Sequence, residues 1–200
     1  MSTYLVLGVD EVGNGALAGP LVMGAVILDV DQRIEAVRDS KKMSAEQREA
    51  VVPRIVAEAK YWCLAATGPR LLDRLGVDQA WSWLGVHLVS RCWERFPDAK
   101  LYVDGARPFR GIPKLRQRCI VNGDTAVPSI AAASVLAKVA RDSMMRRLAA
   151  DPTYEPYGFE TNMGYGTPTH LVALQAYGAS PQHRRSYAPV ARALAQRRDP

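Results

Sequence analysis

The stretch LVLGVDEVGNGALAGPLVMGAVIL, residues 5–28, places two adjacent acids, Asp10 and Glu11, between two apolar runs. The aliphatic and β-branched residues on either side predict two buried strands, at residues 5–9 and 21–28. Side chains alternate along a strand, so both acids can serve one site only if the backbone leaves regular strand geometry just past Asp10. We expect such a departure, because the glycines that follow make it easy for the backbone. A carboxylate among buried groups must be paired or bind a metal.

The loop between the two predicted strands contains Gly13, Gly15 and Gly19 and has two interpretations. A dinucleotide-binding loop needs a helix directly after it, with the helix N-terminus facing the pyrophosphate. Pro20 and a second strand follow instead, so the sequence disfavours a dinucleotide site. The alternative, an exposed turn that carries two solvated acids, is disfavoured by the apolar residues on both sides.

Composition predicts one well-packed domain, since 48% of the 200 residues are hydrophobic. The net charge of +6 suits a polyanionic partner without requiring one. Three cysteines lie far apart in apolar surroundings, which predicts reduced core thiols and a reducing compartment. The sequence shows neither a secretory leader nor an apolar run of about 18 residues, so we expect a cytoplasmic protein.

Two further acids follow predicted strands. KLYVDG, residues 100–105, ends in Asp104 and a glycine, and the strand predicted at residues 117–121 is followed by Asp124. Carboxylates without a histidine or cysteine cluster suit Mg²⁺ or Mn²⁺ better than Zn²⁺. Two such ions would support in-line hydrolysis of a phosphodiester. A glycosidase carboxylate pair is the competing enzyme interpretation, but it needs neither four acids nor a basic surface.

Several helices are predicted between and after these strands. Ser44 and Gln47 form a capping box for the first helix, and helical spacing continues at residues 71–75 and 77–96. We interpret the tryptophans of the latter helix as packing residues and His87 as structural. A strand is expected at residues 61–66, and an alanine-rich helix that begins at Pro128 is expected to pack on the sheet.

Basic and aromatic residues outside these elements are candidates for nucleic-acid contact. Ser40, Lys41 and Lys42, which follow Asp39 in a loop, are either phosphate contacts or a solvated cluster. Beyond Asp151 an irregular lobe is predicted, with a helix at residues 169–177 capped by Thr169. Within the lobe, an aromatic flanked by glycines and two arginines suit a nucleic-acid strand, and the three residues are Tyr165, Arg184 and Arg185. The basic tail, residues 191–200, is expected to fray.

Taken together, these segments resemble the bacterial type 2 ribonuclease H family, RNase HII. The matching stretches are GVDEVGNGALAGP, DSKKMS, LYVDG, NGDTAVPSIAAASVLAKVARD, MGYGTPTHLVALQAYG and HRRSYAPV. The resemblance implies an α/β RNase H-like fold, with a mixed central β-sheet flanked by helices and a C-terminal helical segment. We expect residues 1–150 to form the catalytic core and residues 151–200 a segment of the same domain that grips the substrate.

The resemblance also implies an activity and a set of site residues. The family cleaves the RNA of RNA/DNA hybrids on the 5′ side of a ribonucleotide, leaving 3′-hydroxyl and 5′-phosphate ends, and it includes cuts at single ribonucleotides in duplex DNA. Four acids are implied to be catalytic and to bind Mn²⁺ or Mg²⁺: Asp10, Glu11, Asp104 and Asp124. The glycine loop would meet the 2′-hydroxyl and Tyr165 the neighbouring sugar. We expect a monomer that acts in DNA replication and repair and has no membrane partner.

The chain departs from the family pattern at three positions. Asn14 stands where the Gly-Arg-Gly loop has arginine, and Asn122 and Met163 stand where lysines are usual. Each lost cation should weaken binding and lower its salt dependence. Type 3 enzymes also lack the loop arginine and favour longer RNA stretches, so a preference for continuous hybrid is one alternative. A hybrid-binding protein with weak catalysis is the other.

Overall fold

The computed structural model describes residues 4–38 and 40–196. Its centre is a mixed five-stranded sheet in the order β3-β2-β1-β4-β5. The strands are β1 Leu5–Val12, β2 Leu21–Asp29, β3 Tyr61–Thr67, β4 Lys100–Asp104 and β5 Gln117–Ile120. β1 pairs antiparallel with β2 and parallel with β4, which itself pairs parallel with β5. The predicted α/β class with a mixed sheet is confirmed.

Helices connect and flank the strands. They are α1 Ala45–Glu58, α2 Pro69–Leu75, α3 Val77–Arg95, α4 Gly123–Ala126, α5 Pro128–Ala149, α6 Phe159–Asn162, α7 Pro168–Tyr177 and α8 Ala188–Gln196. The predicted capping box of α1 is confirmed. The Gln47 backbone N–H donates to Ser44 Oγ at 3.2 Å, and the Ser44 N–H donates to Gln47 Oε1 at 3.0 Å.

The chain divides into two compact units. The first comprises Met1–Val12, Val22–Ala66 and Trp81–Val139, and the second comprises Gly13–Leu21, Thr67–Ala80 and Ala140–Pro200. The loop after β1 and the segment around α2 belong to the second unit, together with the C-terminal part of the chain. The division of one domain into a catalytic core, residues 1–150, and a substrate-gripping segment, residues 151–200, stays a prediction.

In the first unit, the alanine face of α5 packs against the sheet, as its composition predicts. Ala132, Ala133 and Leu136 share a buried cluster with Val26 and Leu28 of β2, and with Val51 and Ile55 of α1. Gly24 permits this close approach, since a Cβ there would lie 2.5 Å from the Ala133 carbonyl oxygen. The small residues of α5 therefore set the distance between helix and sheet.

In the second unit, two apolar clusters organise the C-terminal part of the chain. One joins Ala18, Met145, Tyr157, Phe159 and Ala173, and the other joins Leu17, Leu174, Val190 and Ala193. The last two residues belong to α8, so the expectation of a frayed tail is wrong as far as residue 196. Burial of one apolar face of the helix explains its order. Arg197 and Arg198 lie outside the described residues, as does Asp39.

Two local predictions need correction. β1 continues through Val12, with Asp10 and Glu11 paired opposite Gly24 and Met23 of β2. The departure expected past Asp10 is absent because the antiparallel partner holds the strand beyond the acids. The cap of α7 is Thr167, whose Oγ1 accepts the His170 N–H at 3.3 Å. Thr169 is not the cap, since Pro168 already occupies the first helical turn.

Aromatic and cysteine residues follow the predictions only in part. Trp81 is buried, but Trp83 is 52% exposed, and its ring stacks on that of His87 at 5.8 Å. Trp83 is therefore not the core packing residue that was predicted, and its partner His87 is exposed as well. Cys63, Cys92 and Cys119 are all free thiols, and Cys92 is the buried one.

No helix within the described residues is long and apolar enough to span a bilayer.

Candidate active site

The predicted catalytic acids all belong to elements at one edge of the sheet in the first unit. Asp10 and Glu11 lie near the end of β1, and Asp104 is the last residue of β4. Asp124 follows β5, in the short helix α4. Because β1, β4 and β5 are parallel, their carboxyl ends meet at the same edge.

Asp10 is the most strongly perturbed of these acids. Only 7% of the residue is exposed, and burial, with the charges of Glu11 and Asp104 added, raises the pKa of its carboxyl to about 7. Ser134 of α5 opposes this rise by hydrogen bonding. The Glu11 backbone N–H also donates to Asp10 Oδ1 at 2.7 Å. The hydrogen bonds from Ser134 and Glu11 therefore orient the carboxyl group, while burial and the neighbouring acids penalise its charged form.

Glu11 alternates with Asp10 along β1 and has a different set of neighbours. Burial raises the pKa of Glu11, the charge of Asp104 raises it further, and Trp81 and Arg107 lower it. The Trp81 indole N–H has no acceptor in hydrogen-bond geometry among the described residues, so it acts on Glu11 as a nearby dipole. Asp104 is thus the acid whose charge reaches both Asp10 and Glu11.

Asp104 and Asp124 are each held by a specific partner. The Gly123 backbone N–H donates to Asp104 Oδ1 at 2.7 Å, which ties the end of β4 to α4. Asp124 Oδ2 lies 3.1 Å from Lys41 Nζ, with the Asp124 side chain 2% exposed and the Lys41 side chain 77% exposed. The ammonium group therefore compensates a buried carboxylate from the solvent side.

The four acids have the ligand type that a divalent cation prefers, but their side chains are not grouped around one point. Within residues 4–38 and 40–196, no three acidic, histidine or cysteine side chains are grouped so that they could hold a metal ion. Asp104 and Asp124 instead bind Gly123 and Lys41. Carboxylate oxygens are the ligands that Mg²⁺ and Mn²⁺ prefer. Repulsion between the acids and the cost of burying their charges raise the pKa values of Asp10 and Glu11. A bound cation would offset both effects.

Two buried arginines in the second unit hold the segment between β1 and β2, residues 13–20, which contains the glycine loop, residues 13–15. Arg184 donates to the carbonyl oxygen of Asn14 at 3.0 Å and to that of Gly19 at 3.1 Å. Arg141 donates to the Pro20 carbonyl at 2.9 Å. Both arginines are 0% exposed, so their guanidinium groups serve the loop backbone and do not reach solvent.

Tyr165 is also positioned by Arg141. The Arg141 guanidinium carbon lies 5.1 Å from the centre of the Tyr165 ring, a cation–π contact, and Arg141 donates to the Met163 carbonyl at 2.9 Å. Gly164 has a φ of +78°, and a Cβ there would overlap the Ala18 carbonyl. The Tyr165 ring is half-buried between two glycines, which leaves one part of it accessible to a ligand.

Comparison with known proteins identifies the family. The sequence matches the family model for Ribonuclease HII over residues 7–190.

The chain belongs to the Ribonuclease HII family.

A Ribonuclease HII from Dechloromonas aromatica (strain RCB) is 45% identical over 192 residues, which cover 95% of this chain and 94% of that protein. The predicted family and enzyme class, a ribonuclease, are confirmed.

Solved structures show the same fold at lower identity. The crystal structure of ribonuclease H2 from Pyrococcus horikoshii OT3 superposes with a TM-score of 0.79 at 23% identity and covers 98% of this chain and 100% of that chain. Bst-RNase HIII, crystallised in complex with Mn²⁺, superposes with a TM-score of 0.74 at 18% identity and covers 96% and 70% respectively. The predicted RNase H-like fold is confirmed.

Two residues predicted to touch substrate make hydrogen bonds to other parts of the protein. Arg184 is fully buried beneath the glycine loop, because the loop carbonyls turn inward and need a donor. Ser40 is 5% exposed, and its Oγ is 2.9 Å from that of Ser134. Since Ser134 interacts with Asp10, Ser40 supports the acid cluster. Both side chains are buried, and direct substrate contact by either residue stays a prediction.

The other predicted substrate contacts differ in exposure, and Gly13 among them is buried. Gly15, Lys42 and Arg185 are exposed, and Asn14 is half-buried. Lys42 lines a cavity of about 340 Å³ together with Arg33, Arg38 and Asp124. Among the described residues, nothing donates a hydrogen bond to the buried Asn14 Oδ1. The position at which the family has arginine therefore holds a polar atom whose hydrogen-bonding capacity is unused in this part of the chain.

Arg141 was not among the predicted site residues, although the sequence carries a signal for it. Ala133, Ala137, Arg141 and Met145 follow one another at intervals of four in α5, and all four are 0% exposed. An arginine in phase with a buried stripe indicates a buried guanidinium that needs carbonyl acceptors. Trp81 and Ser134, which adjoin the acids, lie on helix faces that the sequence marks only as apolar or small.

Gly13 and Gly15 provide a matched pair of substitutions in the glycine loop. Gly13 has a φ of +89°, and a Cβ there would overlap Arg141 Nε and lie 2.8 Å from the Pro20 carbonyl oxygen, whereas a Cβ on Gly15 would meet open space. We expect Gly13→Ala to cost about 3 kcal/mol or more, from the strained backbone and the displaced arginine. Calorimetry should show a melting temperature lower by about 6 °C or more. Gly15→Ala should melt within about 2 °C of wild type, and equal melting of the two variants would contradict the structure.

Proposed function

We propose that this chain hydrolyses the RNA strand of RNA/DNA hybrids, cutting on the 5′ side of a ribonucleotide and leaving 3′-hydroxyl and 5′-phosphate ends. Its substrates would include single ribonucleotides embedded in duplex DNA, as in ribonucleotide excision repair. The observation that carries the proposal is a set of buried and half-buried acids at the carboxyl ends of parallel strands. The charges of these acids repel one another, and the chain belongs to the Ribonuclease HII family.

Asp10, Glu11, Asp104 and Asp124 are the residues that would hold Mg²⁺ or Mn²⁺. When bound, a pair of such cations supplies electrostatic stabilisation of the attacking and leaving oxygens of the phosphodiester. A crystal structure of Bst-RNase HIII with Mn²⁺ supports a divalent cation of this kind. The sheet would present the four acids from fixed backbone positions, so that little reorganisation is needed when the substrate binds.

The neighbours of the acids would prepare them for this role. Ser134 orients the Asp10 carboxylate, and Gly123 leaves Asp104 Oδ2 available by engaging Oδ1 alone. Lys41 balances the charge of Asp124 and is exposed enough to turn towards a substrate phosphate. With Lys42 and Arg185, which are also exposed, it would contact the nucleic-acid backbone and fix its position without reading its sequence.

Discrimination of RNA from DNA would depend on the glycine loop and Tyr165. Only the 2′-hydroxyl separates a ribonucleotide from a deoxyribonucleotide at one position. The backbone amides of residues 13–15 would meet that hydroxyl, and Tyr165 would pack on the adjoining sugar. The inward hydrogen bonds of Arg184 support this function, because they fix the loop backbone through the Asn14 carbonyl.

Product ends provide the test of the proposed chemistry. A 5′-labelled RNA strand annealed to DNA should be cut only when Mg²⁺ or Mn²⁺ is present. The fragments should carry 3′-hydroxyl ends that a DNA polymerase extends without phosphatase treatment. Fragments with 2′,3′-cyclic phosphate ends would overturn the proposal, because they would require attack by the RNA 2′-hydroxyl in place of water.

Restoring the loop arginine tests the significance of Asn14. Asn14→Arg adds a charge-assisted donor, so we expect tighter binding of a duplex with one ribonucleotide and a slope of log affinity against log salt that is steeper by about one unit. The measurement is binding by the Asp10→Asn form over a salt series, with Asn14→Gln as an uncharged control. An unchanged affinity and slope for Asn14→Arg would contradict this role for position 14.

A further inference from the structure

Two buried histidines in the second unit form a contact that catalysis by the acids does not use. His170 of α7 and His183, which precedes α8, are 0% and 1% exposed, and their Nε2 atoms are 3.0 Å apart. The rings of Tyr157 and Phe159 surround them, with centroid distances of 4.8 Å from Tyr157 to His183 and 5.5 Å from Phe159 to His170. Polar rings in such surroundings must be hydrogen-bonded.

The partners at the two ends of the pair determine where each proton lies. The Ser180 backbone N–H donates to His183 Nδ1 at 3.0 Å, and the Ser180 hydroxyl lies 2.8 Å from the same atom. The Ser180 Oγ accepts the Gln182 N–H at 3.3 Å, which leaves its own O–H to donate to Nδ1. Because a backbone N–H can only donate, Nδ1 is an acceptor and the proton of the neutral ring is on Nε2. That proton points to His170 Nε2, which therefore accepts. His170 carries its own proton on Nδ1 and donates it to the Tyr165 carbonyl at 2.8 Å. The hydrogen bonds run in one direction from Ser180 to Tyr165.

Both rings must stay neutral for this chain of hydrogen bonds to persist. Burial lowers the pKa of His183 to about 4, and the neighbouring ring of His170 lowers it in the same direction. Burial also lowers the pKa of His170. A second proton on His183 would set Nδ1–H against the Ser180 N–H, and one on His170 would set Nε2–H against His183 Nε2–H. The chain of hydrogen bonds is therefore intact at neutral pH, and acid disrupts it by protonating the rings.

At its far end the chain fixes the backbone of Tyr165. The Tyr165 carbonyl also accepts the Thr167 N–H at 2.8 Å, and the Tyr165 N–H donates to the Asn162 carbonyl at 2.9 Å. The aromatic ring meanwhile lies over the Arg141 guanidinium. Tyr165 is thus held at its ring by one buried group and at its carbonyl by another, while part of the ring stays accessible.

We propose that Ser180, His183 and His170 are positioning residues that fix Tyr165 for contact with the sugar beside the ribonucleotide, a role that rests on the proposed function. They do not touch the reacting phosphate, so their loss should affect substrate binding more than the chemical step. The two neutral imidazoles pack among buried aromatic rings, and the hydrogen bond from His170 fixes the backbone of Tyr165, which is partly accessible.

The first test concerns the hydrogen bonds alone and needs no substrate. Long-range ¹H–¹⁵N NMR of histidine-labelled protein at pH 7 should show His183 protonated on Nε2 and His170 on Nδ1, assigned through His170→Leu and His183→Leu. The third histidine of the chain, His87, is exposed and provides an internal reference. Protonation of His183 on Nδ1, or a doubly protonated buried ring, would contradict the proposed hydrogen-bond chain. This result does not depend on which substrate the protein cleaves.

The second test concerns the role in recognition. With a duplex containing one ribonucleotide, His170→Leu should raise KM about tenfold, the effect of one lost hydrogen bond, with kcat within about threefold of wild type. His170→Asn keeps a donor near the Tyr165 carbonyl and should restore most of the affinity. In a Tyr165→Ala background, His170→Leu should have little further effect on KM, because it acts through Tyr165.

The outcomes separate this role from a purely structural one and from the proposed function. A KM of wild-type value in His170→Leu, or an equal rise in the Tyr165→Ala background, would overturn positioning through Tyr165. If wild-type protein cleaved no ribonucleotide-containing duplex, the proposed function and the recognition role would both fail. The NMR result would still decide whether the hydrogen-bond chain exists.

Discussion

Asp10→Asn is expected to lower the rate of hybrid cleavage by at least 100- to 1000-fold, the usual loss when a group that stabilises charge at the reacting centre is removed. The asparagine amide keeps the shape of the side chain but cannot supply the negative charge that a cation needs. Single-turnover cleavage of a labelled hybrid in Mg²⁺ and in Mn²⁺ measures the effect. Retention of more than a tenth of the wild-type rate would contradict a catalytic role for Asp10.

The same substitution should stabilise the metal-free protein. Burial and the charges of Glu11 and Asp104 penalise the ionised Asp10 carboxylate, and a pKa unit corresponds to about 1.4 kcal/mol. Relief of even one such unit should raise the melting temperature by about 3–6 °C in chelator. Mn²⁺ should stabilise wild type more than the variant. Asp98→Asn removes an exposed acid and should change neither the melting temperature in chelator nor the stabilisation by Mn²⁺. If Asp98→Asn changed them as much as Asp10→Asn does, net charge would be the cause.

Arg184→Met should destabilise the fold and loosen the glycine loop, whereas Arg185→Met should do neither. Arg184 makes hydrogen bonds to Gly19, Asn14 and Tyr187 that methionine cannot replace. Each buried carbonyl left without its donor costs about 1–3 kcal/mol. We expect a melting temperature lower by about 5–10 °C, together with weaker binding of ribonucleotide-containing duplexes.

Arg185 provides the control because it is adjacent in sequence but exposed. Its backbone N–H donates to Asp73 Oδ2 at 3.0 Å, and this bond survives substitution of the side chain. Arg185→Met should therefore melt within about 2 °C of wild type. It should also flatten the salt dependence of hybrid binding by about one unit, as expected for one lost phosphate contact. Similar melting of the two variants would contradict the assigned burial of Arg184.

Sequence patterns predicted the regular elements better than their junctions. Apolar runs located β1 and β2, and Ser44 with Gln47 located the start of α1, because burial and capping act over a few residues. The end of β1 depended on pairing with β2, a contact between separate segments. The identity of the α7 cap depended on where Pro168 entered the helix, and α8 depended on apolar contacts with Leu17 and Leu174.

The candidate site shows the same division. The acids were predictable because each follows an apolar strand, whereas the supporting groups were not. Arg184 and Arg185 are indistinguishable in the sequence HRRS, and only the inward carbonyls of the glycine loop decide which one is buried. Ser40 and Lys41 likewise lie side by side, but one binds Ser134 and the other binds Asp124. Charge alone does not determine the direction in which a side chain points.

Metal-dependent cleavage of two labelled duplexes tests the proposed activity most directly. One duplex carries a single ribonucleotide in DNA, the other a continuous RNA strand on DNA, and each is assayed in Mn²⁺ and Mg²⁺ with Asp10→Asn as the control. We predict cleavage of both duplexes by wild type, on the 5′ side of a ribonucleotide, and loss of cleavage in the variant. Cleavage of the continuous hybrid alone would confirm the chemistry and show that the loop with Asn14 does not recognise a single ribonucleotide. Absence of cleavage in either metal would contradict catalysis by the acid cluster.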